Sequence, residues 1–193
     1  MKRRQILTTI GASLPFATVG CLQGGSSNNE GSPTAGSDVG YDTHQLGAVL
    51  ATHSPALRFD TESSVGAVEL YESSKEAYRS VPLDLGPIAD RRSTNEAFID
   101  ATDFESELLI YVVTEWPLTN QSEIEVENLT LSGDTLVGTV RAIGNNAEEG
   151  DQAPMFPAGL VRVSVDDAHL TAVEITVVDG RDNEEVFEEA YND

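Results

Sequence analysis

A run of six apolar residues, Leu108 to Val113 (LLIYVV), is the feature that most constrains the fold of this chain. In an extended strand, successive side chains point to opposite faces of the sheet, so this strand is apolar on both faces. We therefore predict a central strand that is covered on each side. A fold for this sequence needs packing layers above and below that strand.

Shorter strands and two helix starts are predicted ahead of this run. Leu46–Thr52 and Val65–Tyr71 have the composition of early strands. Ser73–Glu76 has the spacing of a capping box, which opens a short helix through about Tyr78. Ser93–Glu96 repeats this spacing and predicts a second helix start at Ser93.

Two hairpins are predicted after the central strand. Ile124 and Val126 alternate with glutamates, and the alternation changes phase at Asn128, which indicates a β-bulge. The turn Ser132-Gly133-Asp134 closes this first hairpin, and alternating valines on both sides of residues 166–169 predict a second one. Residues 184–191 fit either an edge strand or a short helix, and we favour the strand.

These segments predict a mostly β fold over residues 44–193, a length typical of one domain. The expected architecture is an antiparallel β-sandwich or a partly open barrel with one or two short helices.

The first twenty residues have the layout of an export signal. Lys2, Arg3 and Arg4 precede an uncharged stretch from Ile6 to Gly20. A membrane-spanning helix needs about 20 mainly apolar residues, and this stretch is shorter and interrupted by polar residues. Arg3 and Arg4 directly ahead of it favour a twin-arginine export route. We predict that residues 1–20 are a signal peptide.

Cys21, the only cysteine of the chain, follows this segment. Thr18-Val19-Gly20-Cys21 is similar to a lipobox, with Thr18 at the position that is usually aliphatic. Two alternatives are open: Cys21 carries lipid after cleavage, which we favour, or it is a small buried cysteine inside an ordinary cleaved peptide. Residues 21–43, rich in Gly, Ser and Asn, would then be a flexible tether at the extracytoplasmic face of the cell membrane.

The charge balance indicates the solvent in which the protein works. The chain has 33 acidic and 11 basic residues, for a net charge of −22. At low ionic strength the many carboxylates repel one another and destabilise the compact state. About 1 M salt shortens the Debye length to about 3 Å and so screens most of this repulsion. Together with the leader, this composition resembles exported lipoproteins of halophilic archaea. We interpret the acidity as a solvent adaptation rather than a binding face, and its sign excludes nucleic acid as a partner.

The order of the segments resembles a known module. A strand and capped helix (AVELYESSKEAYRSV) precede a second capped segment (STNEAFIDATDFESELLIYVV) and two hairpins (EIEVENLTLSGDTLVGTV and AGLVRVSVDDAHLTAVEITVV). This layout, above all Asp103–Glu107 running into the buried strand, resembles the C-terminal domain of PrcB-type protease-complex accessory lipoproteins. Glu115-Trp116-Pro117 stands where such domains often carry a glycine-rich turn. The resemblance implies a similar fold and an accessory role.

Catalytic signatures are missing from the sequence. His44, His53 and His169 lie outside any metal-ligand spacing, and we interpret them as surface or turn residues. The chain also lacks the Gly-x-Ser-x-Gly nucleophile elbow and glycine-rich phosphate loops. We therefore expect no enzymatic activity and no cofactor.

A few residues remain as candidates for binding or modification. Two acid-rich loops offer oxygen ligands for a hard cation, although solvated turns are the favoured interpretation. These ligands would be Glu148, Glu149, Asp151, Asp179 and Asp182. Trp116 is either an interface residue or a plug at a strand end. Asn120 and Asn128 begin N-glycosylation acceptor tripeptides.

Three functions are consistent with these features. The favoured one is a non-catalytic binding or accessory module, held at the membrane through lipid on Cys21 and contacting another extracytoplasmic protein. The alternatives are a small solute- or cation-binding lipoprotein and an exported hydrolase.

Overall fold

The structure, a computed structural model, describes residues 37–49, 65–83, 89–117, 122–144, 155–165 and 170–191. Nine strands and two helices lie within these ranges. In chain order they are β1 (Ser37–Asp38), β2 (Tyr41–Val49), β3 (Gly66–Tyr71), α1 (Ser74–Ser80), α2 (Ala89–Asp100), β4 (Glu107–Thr114), β5 (Ser122–Ser132), β6 (Thr135–Gly144), β7 (Phe156–Ser164), β8 (Ala172–Val178) and β9 (Glu184–Ala190).

The strands form two sheets that face each other. One sheet has the order β1-β5-β6-β8-β9 and the other has the order β2-β7-β4-β3. Neighbouring strands are antiparallel except for β6 and β8, which run parallel. The predicted mostly β fold class is confirmed, and its architecture is a two-sheet sandwich with two short helices.

The central strand β4 is buried on both faces, as predicted. Leu108, Ile110 and Val112 pack into the core between the two sheets. Leu109 and Tyr111 point the other way, into a second core that also contains Ala77 of α1 and Ile99 of α2, so the helices cover the outer face of the four-stranded sheet. Burying one such aliphatic side chain stabilises the fold by about 1.5–3 kcal/mol, so two apolar faces require two cores.

Side chains link the sheets at both corners of the sandwich. At one corner, Gln45 of β2 donates to the carbonyl of Ile124 at 2.6 Å and accepts from its amide at 3.0 Å. At the other corner, the amide of Val65 donates to Glu185 of β9 at 2.9 Å. These bonds fix the position of each outer strand relative to the opposite sheet.

Helix α1 begins where the capping spacing predicts. The Ser73 hydroxyl accepts from the Glu76 amide at 3.4 Å, and the Ser73 backbone is extended, as expected for an N-cap. The helix continues to Ser80, two residues past the expected end.

The second predicted helix start is wrong, because α2 begins at Ala89 and Ser93 lies inside it. The Thr94 hydroxyl donates back to the Arg91 carbonyl at 2.8 Å, which is typical of threonine in a helix interior. Asn95, 1% exposed, is turned inward and donates to the Leu83 carbonyl at 3.2 Å. Of the polar residues in this segment, Asn95 is packed under the helix, whereas Ser93 and Thr94 are exposed.

The first predicted hairpin is confirmed and the second is wrong. β5 and β6 pair across the turn at Gly133, with a register shift between Val126 and Asn128 at the expected bulge. β7 and β8 belong to different sheets, and β8 lies parallel to β6. Their alternating valines fix which face of each strand is buried and do not specify its partner. The C-terminal segment is a strand, β9, as favoured.

The boundary expected between tether and domain needs a correction. β2 begins at Tyr41, which pairs with Val163, and β1 pairs Ser37 with Leu131. Residues assigned to the end of the 21–43 tether therefore belong to the sandwich, because they complete the edges of both sheets. Arg3, Arg4 and Cys21 lie outside the described residues.

Candidate interaction site

Arg162 of β7 is at the centre of a charged cluster between α2 and the four-stranded sheet. Its Nη2 donates to Asp42 of β2 at 2.7 Å, and its Nε lies 3.6 Å from a carboxylate oxygen of Glu107 on β4. Its Nη1 donates to the carbonyl of Ala101, directly after α2, at 3.1 Å. A cation is favourable at the C-terminal end of a helix, so Arg162 holds this end of α2 on the sheet.

Two aromatic rings extend this cluster. The Arg162 guanidinium carbon lies 4.9 Å from the centroid of the Phe98 ring, a cation–π arrangement. The His44 imidazole stacks on the same ring at 5.0 Å. Its Nε2 is 2.8 Å from Asn95 Oδ1. Because the Asn95 amide nitrogen donates to the Leu83 carbonyl, this oxygen is the acceptor, and we assign the imidazole proton to Nε2.

This arrangement favours a structural role for the charged cluster. A cavity of about 260 Å³ adjoins it, smaller than the usual ligand pocket of about 300–1,000 Å³. The lining residues are Gly40, Tyr41, Asp42, Glu107, Arg162 and Ser164. Two carboxylates, one backbone carbonyl and one ring already face the guanidinium, so its charge is balanced within the fold.

The histidines were expected at the surface or in turns, and for His44 this is wrong. It lies half-buried on β2, where it contacts α2 through Asn95 and Phe98. Asp42, His44 and Leu46 occupy alternate positions of one strand, which is the sequence signal that places His44 on a packed face. His53 and His169 lie outside the described residues.

Trp116 is a plug at the end of β4. Its side chain is 7% exposed, and its backbone exchanges two hydrogen bonds with Met155, at 2.7 and 2.9 Å. The indole ring lies against Gly180, in the turn between β8 and β9. The interface alternative would need an exposed ring, and this ring is enclosed by the chain itself.

The two described cation candidates are engaged in turn and surface contacts. Asp179 is 5% exposed and accepts from the amides of Arg181 and Asn183, at 2.7 and 2.9 Å, and from the Asn183 side chain at 2.8 Å. Asp182 forms an ion pair with Arg141 at 2.6 Å. Within the described ranges, no three potential metal ligands group together.

The remaining candidates are divided between described and undescribed parts of the chain. Glu148, Glu149, Asp151 and Asn120 lie outside the described residues. Asn128 is exposed on β5, at the bulge, whereas Leu129 of its acceptor tripeptide is buried and Thr130 pairs with Asp38 of β1.

Tyr71 is a buried hydroxyl under α1 and does not have the properties of a nucleophile. Burial, followed by the charge of Glu69, raises the pKa of Tyr71 far above its usual value. The hydroxyl therefore stays protonated and donates to Glu69 at 2.6 Å. This bond connects two residues on the helix-covered face of β3.

The outer face of the five-stranded sheet is the surface that the described helices leave open, and we call it the open face. Adjacent strands bring Thr139, Thr176 and Val186 into one row. A second row consists of Val137, Glu174 and Glu188. Val186 is 52% exposed, while both threonines and Val137 are half-buried. The sequence alone could not assemble this surface, because its rows depend on the order of the strands.

Three comparisons with known proteins found no similar protein. Neither a protein-family model, nor a curated protein, nor a solved structure matches the chain. The resemblance to PrcB-type domains stays a prediction. Among the described residues, the helices are too short or too polar to cross a membrane.

Proposed function

We propose that this protein is a lipid-anchored extracytoplasmic lipoprotein that acts as a non-catalytic binding or accessory module in a high-salt environment. In this proposal the membrane is reached through Cys21, and the open face of the sandwich contacts another extracytoplasmic protein. No cofactor takes part.

The proposal rests on one observation: both described helices cover the four-stranded sheet, and none covers the five-stranded sheet. Ala77 of α1 and Ile99 of α2 are fully buried on the outer face of the four-stranded sheet. The five-stranded sheet has no described helix on its outer face, where threonine and valine rows lie between acidic residues. A partly apolar sheet surface of this kind suits a protein partner better than a small ligand.

The placement of charged groups supports binding rather than catalysis. Arg162 contacts both Asp42 and Glu107, and Asp179 accepts from three N–H donors of its own turn. A nucleophile or general base needs a free position beside its substrate. These groups instead stabilise the helix layer and the β8–β9 turn.

The leader supports the location. Arg3 and Arg4 precede an uncharged stretch that ends at Cys21, and this order is typical of an exported and lipidated chain. Mass spectrometry of the native product should find acyl chains on Cys21 as the new N-terminus. Cys21→Ser should move the protein from the membrane to the soluble fraction, and retention of Met1 would contradict the anchoring.

Crosslinking on intact membranes in high salt tests the binding role. Thr176→Arg places a bulky charge at the centre of the open face, and we expect it to abolish the crosslinked product. Ser74→Arg introduces the same charge on exposed α1 and serves as the matched control. No product with wild type, or equal products with both variants, would contradict this use of the open face.

A further inference from the structure

The outer edge of β9 carries a row of backbone groups that the five-stranded sheet does not use. The amide of Tyr191 donates to the Thr171 carbonyl, and the amide of Asp179 donates to the Asn183 carbonyl. In an antiparallel ladder such bonds recur at every second residue. Residues 185, 187 and 189 therefore bond to β8, and residues 184, 186, 188 and 190 direct their N–H and C=O groups away from the sheet.

β9 differs from the other described edge strands. β1 has two residues, and β2 has a register shift between Gln45 and Gly47. β3 begins beside β9, where the Val65 amide is bonded to Glu185. β9 has seven residues, pairs with β8 without a register shift and contains no proline. Short length, bulges and proline commonly block strand addition, and β9 has none of them. Charged side chains also protect sheet edges, and those of β9 are all acidic, so they repel acidic strands and not basic ones.

The side chains along β9 specify which strand fits beside it. Glu184, Val186, Glu188 and Ala190 are all exposed and alternate between acidic and apolar side chains. Side chains opposite one another on paired strands interact directly. A complementary strand therefore places basic residues opposite Glu184 and Glu188 and small apolar residues opposite Val186 and Ala190.

A second copy of this chain is a poor occupant for the same reason. Two β9 strands paired antiparallel about Val186 would set Glu184 of one copy opposite Glu188 of the other, twice. Like charges directly opposite each other are destabilising.

Arginine–carboxylate contacts are hydrogen-bonded pairs at about 2.8 Å, within the screening length of about 3 Å in 1 M salt. Short-range pairing thus persists where long-range attraction does not.

We infer that the outer edge of β9, with which no described strand pairs, binds an extended, arginine-bearing segment of a partner protein, which adds to the five-stranded sheet as a further strand. This inference rests on the proposed binding function and names the chemistry of its partner. Backbone hydrogen bonds provide the affinity, and the alternation of arginine with small apolar residues provides the selectivity.

A synthetic peptide, Val-Ser-Arg-Ser-Val-Ser-Arg, tests the inference on the full-length protein in about 1 M salt. Antiparallel to β9, it places its valines opposite Ala190 and Val186 and its arginines opposite Glu188 and Glu184. N-methylation of the amides of its central valine and arginine removes the donors that would face β9. The matched control carries the same number of N-methyl groups on serine amides, which face away. We expect the first methylated peptide to bind about tenfold more weakly than the control, because it lacks two of the hydrogen bonds to the edge of β9. Equal binding of the two peptides, or no binding of the unmethylated one, would overturn the inference.

Hydrogen exchange and one pair of variants locate the binding. Bound peptide should slow exchange of the Val186 and Glu188 amides. Val186→Pro removes an outward N–H without removing a bond to β8, whereas Val186→Thr retains that N–H. We expect the proline variant to lose peptide binding and the threonine variant to retain it, with both as stable as wild type. Protection elsewhere in the chain, or a dimer joined through β9, would contradict the inference.

Comparison with the crosslinking experiment separates the two proposals. If a membrane partner is captured equally by wild type and Val186→Pro, the binding function holds and the β9 inference fails. If the peptide protects β9 while no membrane partner is captured at all, the edge binds an extended arginine-bearing strand and the accessory role fails.

A peptide in which glutamate replaces both arginines should bind at least about tenfold more weakly, and equal binding would refute the proposed partner chemistry.

Discussion

Gly180 lies so close to Trp116 that the two residues can be neighbours only if position 180 lacks a side chain. A Cβ at this position would be 3.0 Å from Cδ2 of the indole and 2.6 Å from Cδ of Pro117. The Gly180 amide donates to the Glu115 carbonyl at 2.8 Å. This contact joins the end of β4, in one sheet, to the turn between β8 and β9, in the other.

Gly180→Ala should therefore destabilise the sandwich. The added methyl has to displace the ring or the backbone at this junction, and overpacking of this kind costs about 1–3 kcal/mol. Denaturant unfolding followed by Trp116 fluorescence measures the change at the affected corner, since Trp116 is the only tryptophan of the chain. Gly40→Ala is the control, because its Cβ would lie 3.8 Å from the Ser164 hydroxyl, an ordinary contact. Equal stabilities of the two variants would show that the corner can adapt.

Removing the charge of Arg162 should weaken the attachment of α2 to the sheet. Arg162→Gln leaves the carboxylates of Asp42 and Glu107 without the cation that both contact. The arginine side chain is 17% exposed and that of Glu107 is 22% exposed, so the loss should be about 1–3 kcal/mol, below that of a fully buried pair. Urea denaturation gives the free energy of unfolding.

A double-mutant cycle with Glu107→Gln isolates the contribution of the pair. The control is Arg92→Gln, which breaks the exposed pair between Arg92 and Glu96 on α2 and should cost less than about 0.5 kcal/mol. If both arginine substitutions have the same small effect, the cluster around Arg162 does not hold the helix.

The sequence predicts those parts of the fold that depend on local patterns. The apolar run of β4, the cap at Ser73 and the phase change at Asn128 each lie within a few residues, and each corresponds to the observed element. Partner choice in the sheets is different. Alternating valines fit both a hairpin and the observed separation of β7 from β8, because alternation defines a face and not a neighbour.

The charged cluster was missed for a related reason. His44 and Asn95, whose side chains are 2.8 Å apart, are 51 residues apart in the sequence. Their contact depends on the place of β2 at a sheet edge and on the early start of α2. Neither follows from local spacing. The open face and the outer edge of β9 likewise exist only once the strand order is known.

The Tyr78 hydroxyl should lose its proton at a higher pH than a free tyrosine does. Its hydrogen bond to Asp100, which links α1 to α2, should therefore depend on pH. Its hydrogen bond to Asp100 at 2.6 Å raises the pKa of Tyr78 to about 12. In the unfolded chain this pKa is about 10, so the folded protein holds the proton more tightly. The contact therefore contributes its full stabilisation below about pH 10 and loses it as the pH rises to about 12.

Difference absorbance of tyrosinate between wild type and Tyr78→Phe identifies this group. Asp100→Asn removes the charge that holds the proton and should shift the titration of Tyr78 back toward its usual value. Because Tyr78 is 38% exposed, solvent screening limits its effect on stability, and the spectroscopic titration is the sharper measurement. An unchanged titration in the asparagine variant would mean that Asp100 is not the cause of the shift.

Replacing Glu188 should make the fold less dependent on salt than replacing Glu184. Glu188 lies directly opposite Glu174 on β8, whereas Glu184 lies opposite Val178. Both substitutions to glutamine remove one negative charge from the same strand, so their effects on the net charge of −22 are equal. Glu188→Gln additionally relieves a cross-strand repulsion of about 0.2–1 kcal/mol.

The advantage of Glu188→Gln over Glu184→Gln should appear at low salt and decline with added salt. The Debye length falls from about 10 Å at 0.1 M to about 3 Å at 1 M, and repulsion between partly exposed carboxylates falls with it. Denaturation midpoints of the two variants at several salt concentrations measure this difference directly. Equal midpoints at every concentration would show that Glu174 and Glu188 do not repel each other across the strands.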